Sequence, residues 1–266
     1  MPNKRIADLI KRFPEDFSDK KLVKKSELRD YATKHIPDMT EQEFRGVLYQ
    51  LTTQSKIISS GSGIFLIRET KTEYASNQVS FRKKYEPLPS GILKAIVSEV
   101  KVAFPDVELT VWETRELNQF MVHQPFINMI IIEAEKDSVE SLFNTFAEIY
   151  PGKAFLSPDQ LVLERYILQQ KEVIIISKSI TQTPKGRTRS NWPYAKLEKI
   201  LVDVFVNNDL FIFYQGNEMI SIFEEAFKTY LIDEPSLFRY AGRRNAAKKL
   251  KEFVQTKTNV ELLTIP

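Results

Sequence analysis

The stretch that most constrains this chain is residues 56–67. It reads Lys56-Ile57-Ile58-Ser59, then Ser60-Gly61-Ser62-Gly63, then Ile64-Phe65-Leu66-Ile67. Two short apolar runs around a Gly/Ser turn predict a β-hairpin, because glycine accepts the backbone angles a tight reversal needs. A lone hairpin is barely stable in water, so it must pack on what precedes it, and what precedes it reads as helices. Ile6, Leu9, Ile10 and Phe13 recur at helical spacing, and Pro14 is expected to end that helix. Ser26 is the expected N-cap of a second helix running to His35, with Leu28, Tyr31 and Ala32 inward and Pro37 beyond its end. Thr40 and Glu43 have the capping-box spacing that opens a third helix, Thr40 to Ser55, with Phe44, Val47, Leu48 and Leu51 inward.

Three helices followed by a hairpin is the element order of a winged helix-turn-helix. In that reading the third helix enters the major groove. Gln42, Arg45, Tyr49 and Thr52 share its outward face. Arg45 is the expected reader, since its planar fork binds guanine or phosphate at two points. Lys20, Lys21, Lys24 and Lys25 are expected to hold the DNA backbone. Charge agrees with this. Residues 1–85 carry 17 Lys and Arg against 11 Asp and Glu, whereas the remainder carries 21 against 24. The alternative for the same domain is a winged helix that binds protein.

Residues 71–91 are polar and end in Glu86-Pro87-Leu88-Pro89-Ser90-Gly91, a linker. Beyond it, strands and helices alternate. Ile92 to Phe104 is a helix, and Val107 to Glu113 alternates like a half-buried strand. Leu117 to Met121 is a short helix, and Asn128 to Glu135 is a central strand. Ser138 to Ile149 is a helix, and Ala154 to Leu156 and Val173 to Ile176 are strands. The expectation is a small α/β domain with a sheet of about four strands. Thr181 to Ser190 reads as a flexible basic loop that either touches DNA or is simply solvated. From Leu197 onward the apolar stripes are helical, and they read as core.

Glu113, Glu133 and Glu135 raise the alternative of a degenerate metal-dependent nuclease centre. Glu135 is followed directly by Lys136, however, where such a centre needs Glu-x-Lys, and solvated strand ends explain the acids equally. There is no phosphate loop and no ligand cluster around His35 and His123, so no catalytic residue, metal or cofactor is expected. The chain has no cysteine, Met1-Pro2-Asn3-Lys4-Arg5 leads into a charged amphipathic segment, and apolar runs such as Met129 to Ile132 and Val173 to Ile176 are far too short to span a bilayer. A cytoplasmic protein with no membrane association is expected.

Pro193 to Phe205, followed by a helix and then Tyr240-Ala241-Gly242-Arg243-Arg244, resembles the C-terminal part of the AbiEi-type antitoxins, the regulators of type IV toxin–antitoxin (abortive infection) systems. Val111-Trp112-Glu113-Thr114 with His123-Gln124-Pro125 is similar to an AbiEi-like subgroup of unassigned function. The resemblance implies a phage-defence protein without enzymatic activity. Its winged helix would bind operator DNA and repress its own promoter, and its residues 92–266 would counter a nucleotidyltransferase toxin without a tight complex. The expected organisation is a winged-helix domain over 1–70, the linker over 71–91, and an α/β plus helical effector domain over 92–266. Gly242 is expected in the left-handed conformation that ends a helix, with Asn245 capping the next. Arg243 and Arg244 then either neutralise the helix end or contact RNA or a partner.

Overall fold

The computed structural model describes residues 4–18, 20, 22–54, 56–61, 63–67, 82–188 and 191–262. Lys21, Ser55, Ser62, residues 71–81 of the expected linker, residues 189–190 of the basic loop and residues 263–266 lie outside them. The chain is a mixture of helices and small sheets. It forms two compact units, one made chiefly of Met1–Val79 and including Asp233–Pro235, and one made of Ser80–Ile232 and Ser236–Leu262.

The first unit runs α1 (Lys4–Asp16), β1 (Leu22–Lys24), α2 (Lys25–His35), α3 (Glu41–Thr53), β2 (Ile57–Gly61) and β3 (Ile64–Ile67). Pro14 does not end α1, which continues to Asp16. A proline inside a helix leaves the carbonyl four residues earlier without its donor. That carbonyl is Ile10 O, and the Lys56 ammonium donates to it at 2.5 Å. Helix α2 begins before Ser26, because β1 delivers the chain to Lys24, whose backbone N–H donates to Glu27 Oε2 at 2.8 Å. Helix α3 opens as its capping box predicts: Thr40 N–H donates to Glu43 Oε2 at 2.9 Å, and Glu43 N–H donates to Thr40 Oγ1 at 3.3 Å. Strand β3 is central, with β1 and β2 antiparallel on either side. Gly63, at φ +76°, supplies the left-handed turn residue between β2 and β3. Phe13, Leu28, Phe44, Leu51 and Ile57 sit in one core.

The second unit holds α4 (Gly91–Ala103), β4 (Leu109–Glu113), a 3₁₀ turn at Thr114–Phe120, β5 (Asn128–Ala134), α5 (Lys136–Ile149), β6 (Ala154–Leu156), a single turn α6 (Gln160–Val162) continued by a π-turn, and β7 (Glu172–Lys178). It continues with β8 (Lys185–Arg187), β9 (Pro193–Ala195), α7 (Leu197–Val206), α8 (Asn217–Thr229), α9 (Glu234–Arg243) and α10 (Ala247–Lys257). The main sheet has the order β4-β5-β7-β6, with β5, β7 and β6 parallel and β4 antiparallel at one edge. Strand β7 therefore fills the slot between β5 and β6, the strands that α5 connects. One face of the sheet packs Val111, Ile130, Ile132 and Ile174 against α4 and α5. The other presents Trp112, Met129, Ile131, Val173 and Ile175 to α7, α8, α9 and α10. Both faces are covered, so the central strands are apolar almost throughout.

Two expectations change here. Lys185 to Arg187 is a strand paired with Pro193–Ala195, and no flexible loop. Lys185 and Arg187 both pair with Glu108, Arg187 at 3.9 Å, which offsets the basic charge of this segment. Helix α9 also runs through Gly242, and the left-handed residue is Asn245 at φ +55°. Asn245 N–H donates to Gly242 O at 3.1 Å and Ala246 N–H to Ala241 O at 2.8 Å, the two bonds that close a helix end around a left-handed residue. Asn245 thus ends α9, and the N-cap of α10 is Ala246.

Candidate functional site

The outward face of α3 has the predicted composition and is exposed. Gln42, Arg45, Tyr49 and Thr52 all face solvent, with 72% of Tyr49 accessible. The Arg45 guanidinium lies 3.8 Å from Glu41 one turn earlier. Glu41 is also paired with Arg29, whose guanidinium sits over the Phe44 ring. The first turn of α3 is therefore acidic, through Glu41 and Glu43, which suits the positive end of a helix dipole. Lys24 and Lys25 are exposed at the end of β1, where Lys25 N–H bonds Gly63 O at 2.7 Å beside the hairpin turn. Lys20 is engaged by Glu27 at 2.9 Å and lies over the Phe17 ring.

The second unit contains a buried ionic network. Lys199, on α7, is fully buried. Its Nζ donates to Glu133 Oε1 on β5 at 2.9 Å and to Asp203 one turn along its own helix. Tyr240 Oη, from α9, donates to Asp203 Oδ1 at 2.9 Å, and the Tyr240 ring lies 5.7 Å from the ammonium. Arg244 Nε lies 3.9 Å from Asp203 Oδ1, and its Nη2 donates to Asn207 Oδ1 at 2.6 Å. Burial alone would push the Lys199 ammonium down, but Asp203 and Glu133 outweigh it and hold the group well above the ordinary lysine range. Burial pushes the Glu133 carboxyl up, against the pull of Lys199. Removing a single member of such a set leaves an uncompensated buried charge, so the members stand or fall together.

Glu133, Asp203, Asn207 and Arg244 of this network line a cleft of about 600 Å³. The cleft lies at the carboxyl ends of the parallel strands: Glu133 at the end of β5, Ser177 and Lys178 at the end of β7, and Ser157 just past β6. Glu133 and Ser177 are direct register partners. Ser157 has φ +40°, an uncommon conformation for a residue with a side chain.

Residues 43–260 match the profile of a family described as a family of unknown function (DUF6577). The chain belongs to this family. No curated protein matches it. The DUF6577 match begins inside α3 and extends past α10, so it takes in the hairpin, the four-stranded sheet and the buried network.

The three glutamates considered for a metal centre do not converge in this DUF6577 chain. Glu113 faces the α4 side of the sheet, where it accepts from Ser90 N–H at 2.6 Å and Asn128 Nδ2 at 3.0 Å. Glu133 faces the opposite side, since alternate residues of neighbouring strands point oppositely. Glu135 is exposed at the start of α5. Among the described residues, no group of three or more His, Asp or Glu side chains is placed to hold a metal ion. Glu113 and Glu133 are also not solvated strand ends, because both are buried. Among the described residues, no helix is long and apolar enough to cross a membrane.

Arg243 donates to Gln182 Oε1 at 3.1 Å and is exposed, whereas Arg244 turns inward to Asp203 and Asn207. By spacing alone, α7 reads as a core helix, and its buried charges do not stand out. The available signal was the i, i+4 pair Lys199 and Asp203 inside a helix that is apolar nearly all round. A helix buried on every side needs partners for its charges.

Proposed function

We propose that the chain is a DNA-binding transcriptional autoregulator whose first unit is a winged helix-turn-helix. The second unit would carry the effector role, countering a nucleotidyltransferase toxin in the manner of AbiEi-like antitoxins. The observation that carries the DNA reading is the outward face of α3. Arg45, Tyr49, Gln42 and Thr52 are polar or aromatic, exposed, and not needed to hold the core. The element order helix–strand–helix–helix–strand–strand, with β1 joining β3 beside the hairpin, supports the same reading. The test is binding to a duplex taken from upstream of the chain's own gene, measured by fluorescence anisotropy at low salt. Arg45→Ala is expected to weaken binding by about 1–3 kcal/mol if Arg45 reads a base. Unchanged affinity would remove Arg45 from the reading face, and no binding by the wild type at low salt would end the DNA reading. The effector role is tested by asking whether a nucleotidyltransferase gene lies beside the chain's own, and by co-expressing the two. Failure to relieve the neighbour's toxicity would leave a regulator without antitoxin activity.

One observation favours a protein partner for the same face. Helix α3 carries Glu41 and Glu43 against the single cation Arg45. A phosphate-facing helix is more often basic. If the duplex fails to bind, this acidic first turn makes a basic protein surface the next partner to test.

A further inference from the structure

The cleft at the carboxyl ends of β5, β7 and β6 is not used by the DNA-binding reading, and it has the make-up of a small-molecule site. Open parallel sheets bind ligands outside the carboxyl ends of their strands. A volume of about 600 Å³ lies within the range of small-molecule sites. Two of its lining side chains hold buried polar atoms with no hydrogen-bond partner among the described residues. Glu133 Oε2 is an acceptor and Trp112 Nε1 a donor. Glu133 is 6% exposed and Trp112 1%. Natural interiors rarely leave such atoms unpaired, and an exception calls for an explanation.

The two orphans belong together. Thr110 is the register partner of Glu133, and Trp112 that of Ile131, so Trp112 and Glu133 are diagonal neighbours on one face of the sheet. Lys199 occupies the other carboxylate oxygen of Glu133 and fixes the orientation of the group. A fixed acceptor and a donor on the same face of the sheet complement a planar group that carries both a donor and an acceptor. The wall beside them is aromatic, with the Phe211 ring centroid 5.5 Å from that of Trp112. Cations stand elsewhere on the lining: Lys178 is exposed, and Arg244 is half-buried and already bonded to Asn207 beside Asp203; the exposed carboxylates of Asp159 and Asp209 lie on it too.

We propose that this cleft binds a nucleoside monophosphate. The base edge would meet Glu133 and Trp112, with its face against Phe211. The phosphate would lie toward Lys178 and Arg244, and Asp209 would accept from a ribose hydroxyl. The proposal stands apart from the DNA reading, because it concerns residues of the second unit alone.

The test is isothermal titration calorimetry of the full chain with AMP, GMP, CMP and UMP, and with ribose 5-phosphate as the base-free control. At least one nucleotide is expected to bind with a dissociation constant below about 1 mM, with the control about tenfold weaker or worse. Glu133→Gln replaces the free acceptor by a donor and is expected to weaken the best nucleotide by about tenfold. Because Glu133 is also part of the buried network, a second reading uses a fold close to the wild type. Trp192→Phe leaves Trp112 as the single tryptophan, and its fluorescence should change saturably with the same nucleotide. Three results would each overturn the proposal: no nucleotide binding at millimolar concentration, a control that binds as tightly as the nucleotides, or calorimetric binding that leaves Trp112 emission unchanged.

Discussion

Pro14 deprives Ile10 of its helical donor, and Lys56, forty-six residues away from Ile10 in sequence, supplies another. The lysine thereby ties the start of the hairpin to α1. Lys56→Met keeps the aliphatic stem and removes only the donor. Leaving the Ile10 carbonyl unpaired should cost about 1–3 kcal/mol, read from urea denaturation. A loss within error of zero would mean that water reaches the carbonyl freely. Glu116 poses the opposite problem, that of a carboxyl with too few donors. Its Oε1 accepts from Glu113 N–H at 3.3 Å, while its Oε2 is buried without a partner. Burial pushes this carboxyl up to about 8, against the weaker effect of that hydrogen bond. A carboxyl whose pKa is higher folded than unfolded favours folding fully at pH below its unfolded value. That contribution is lost as pH rises through the folded value, here between about 4.5 and about 8. Glu116→Gln should therefore gain stability over the wild type as pH rises, by on the order of a few kcal/mol at about pH 9 and little at about pH 4. A gap that does not vary with pH would place the titration elsewhere.

At the scale of elements, the end of α9 gives a direct test of backbone conformation. Asn245 holds φ +55°, which asparagine tolerates and glycine accepts freely, but which crowds the Cβ of other residues. Asn245→Ala should destabilise by about 1 kcal/mol, and Asn245→Gly should be close to neutral. Equal losses in both variants would show that the asparagine side chain, not the backbone angle, matters there. The same junction shows what sequence can and cannot carry. The helix end between Ala241 and Ala246 was legible, but its left-handed residue was not, because Gly242 and Asn245 both qualify locally. Helix α3 was legible because Thr40, Glu43 and the apolar spacing are local signals that agree. Strands β1, β8 and β9, of three residues each, were not, because their pairing is non-local and three residues show no period. The buried network lay out of reach for the same reason. Glu133 meets Lys199 across sixty-six residues, and only the pairing of β5 with β4 and β7 decides which face Glu133 takes. The exposed face of α3 was readable from helical spacing alone, whereas the cleft depends on where three strands end together.

For the molecule as a whole, the uneven charge gives the proposed DNA binding a quantitative test. Residues 1–85 hold a surplus of six positive charges, and the rest of the chain a deficit of three. A protein that neutralises phosphates releases counterions, so its affinity falls with salt by about 0.9 in log–log slope for each phosphate engaged. Lys24 and Lys25, exposed beside the hairpin turn, are the best candidates for that role. Lys20 is a weaker one, since Glu27 already holds it. Replacing Lys24 and Lys25 together by alanine should lower the salt slope by about 2, and should weaken specific and non-specific duplexes alike. Arg45→Ala should instead narrow the difference between the two duplexes. If the lysine pair changes discrimination and leaves the slope intact, the two lysines read bases, and the DNA lies across β1 and the hairpin instead of along α3. If neither substitution alters slope or discrimination, the surplus charge serves solubility, and the acidic first turn of α3 points the search for a partner toward protein.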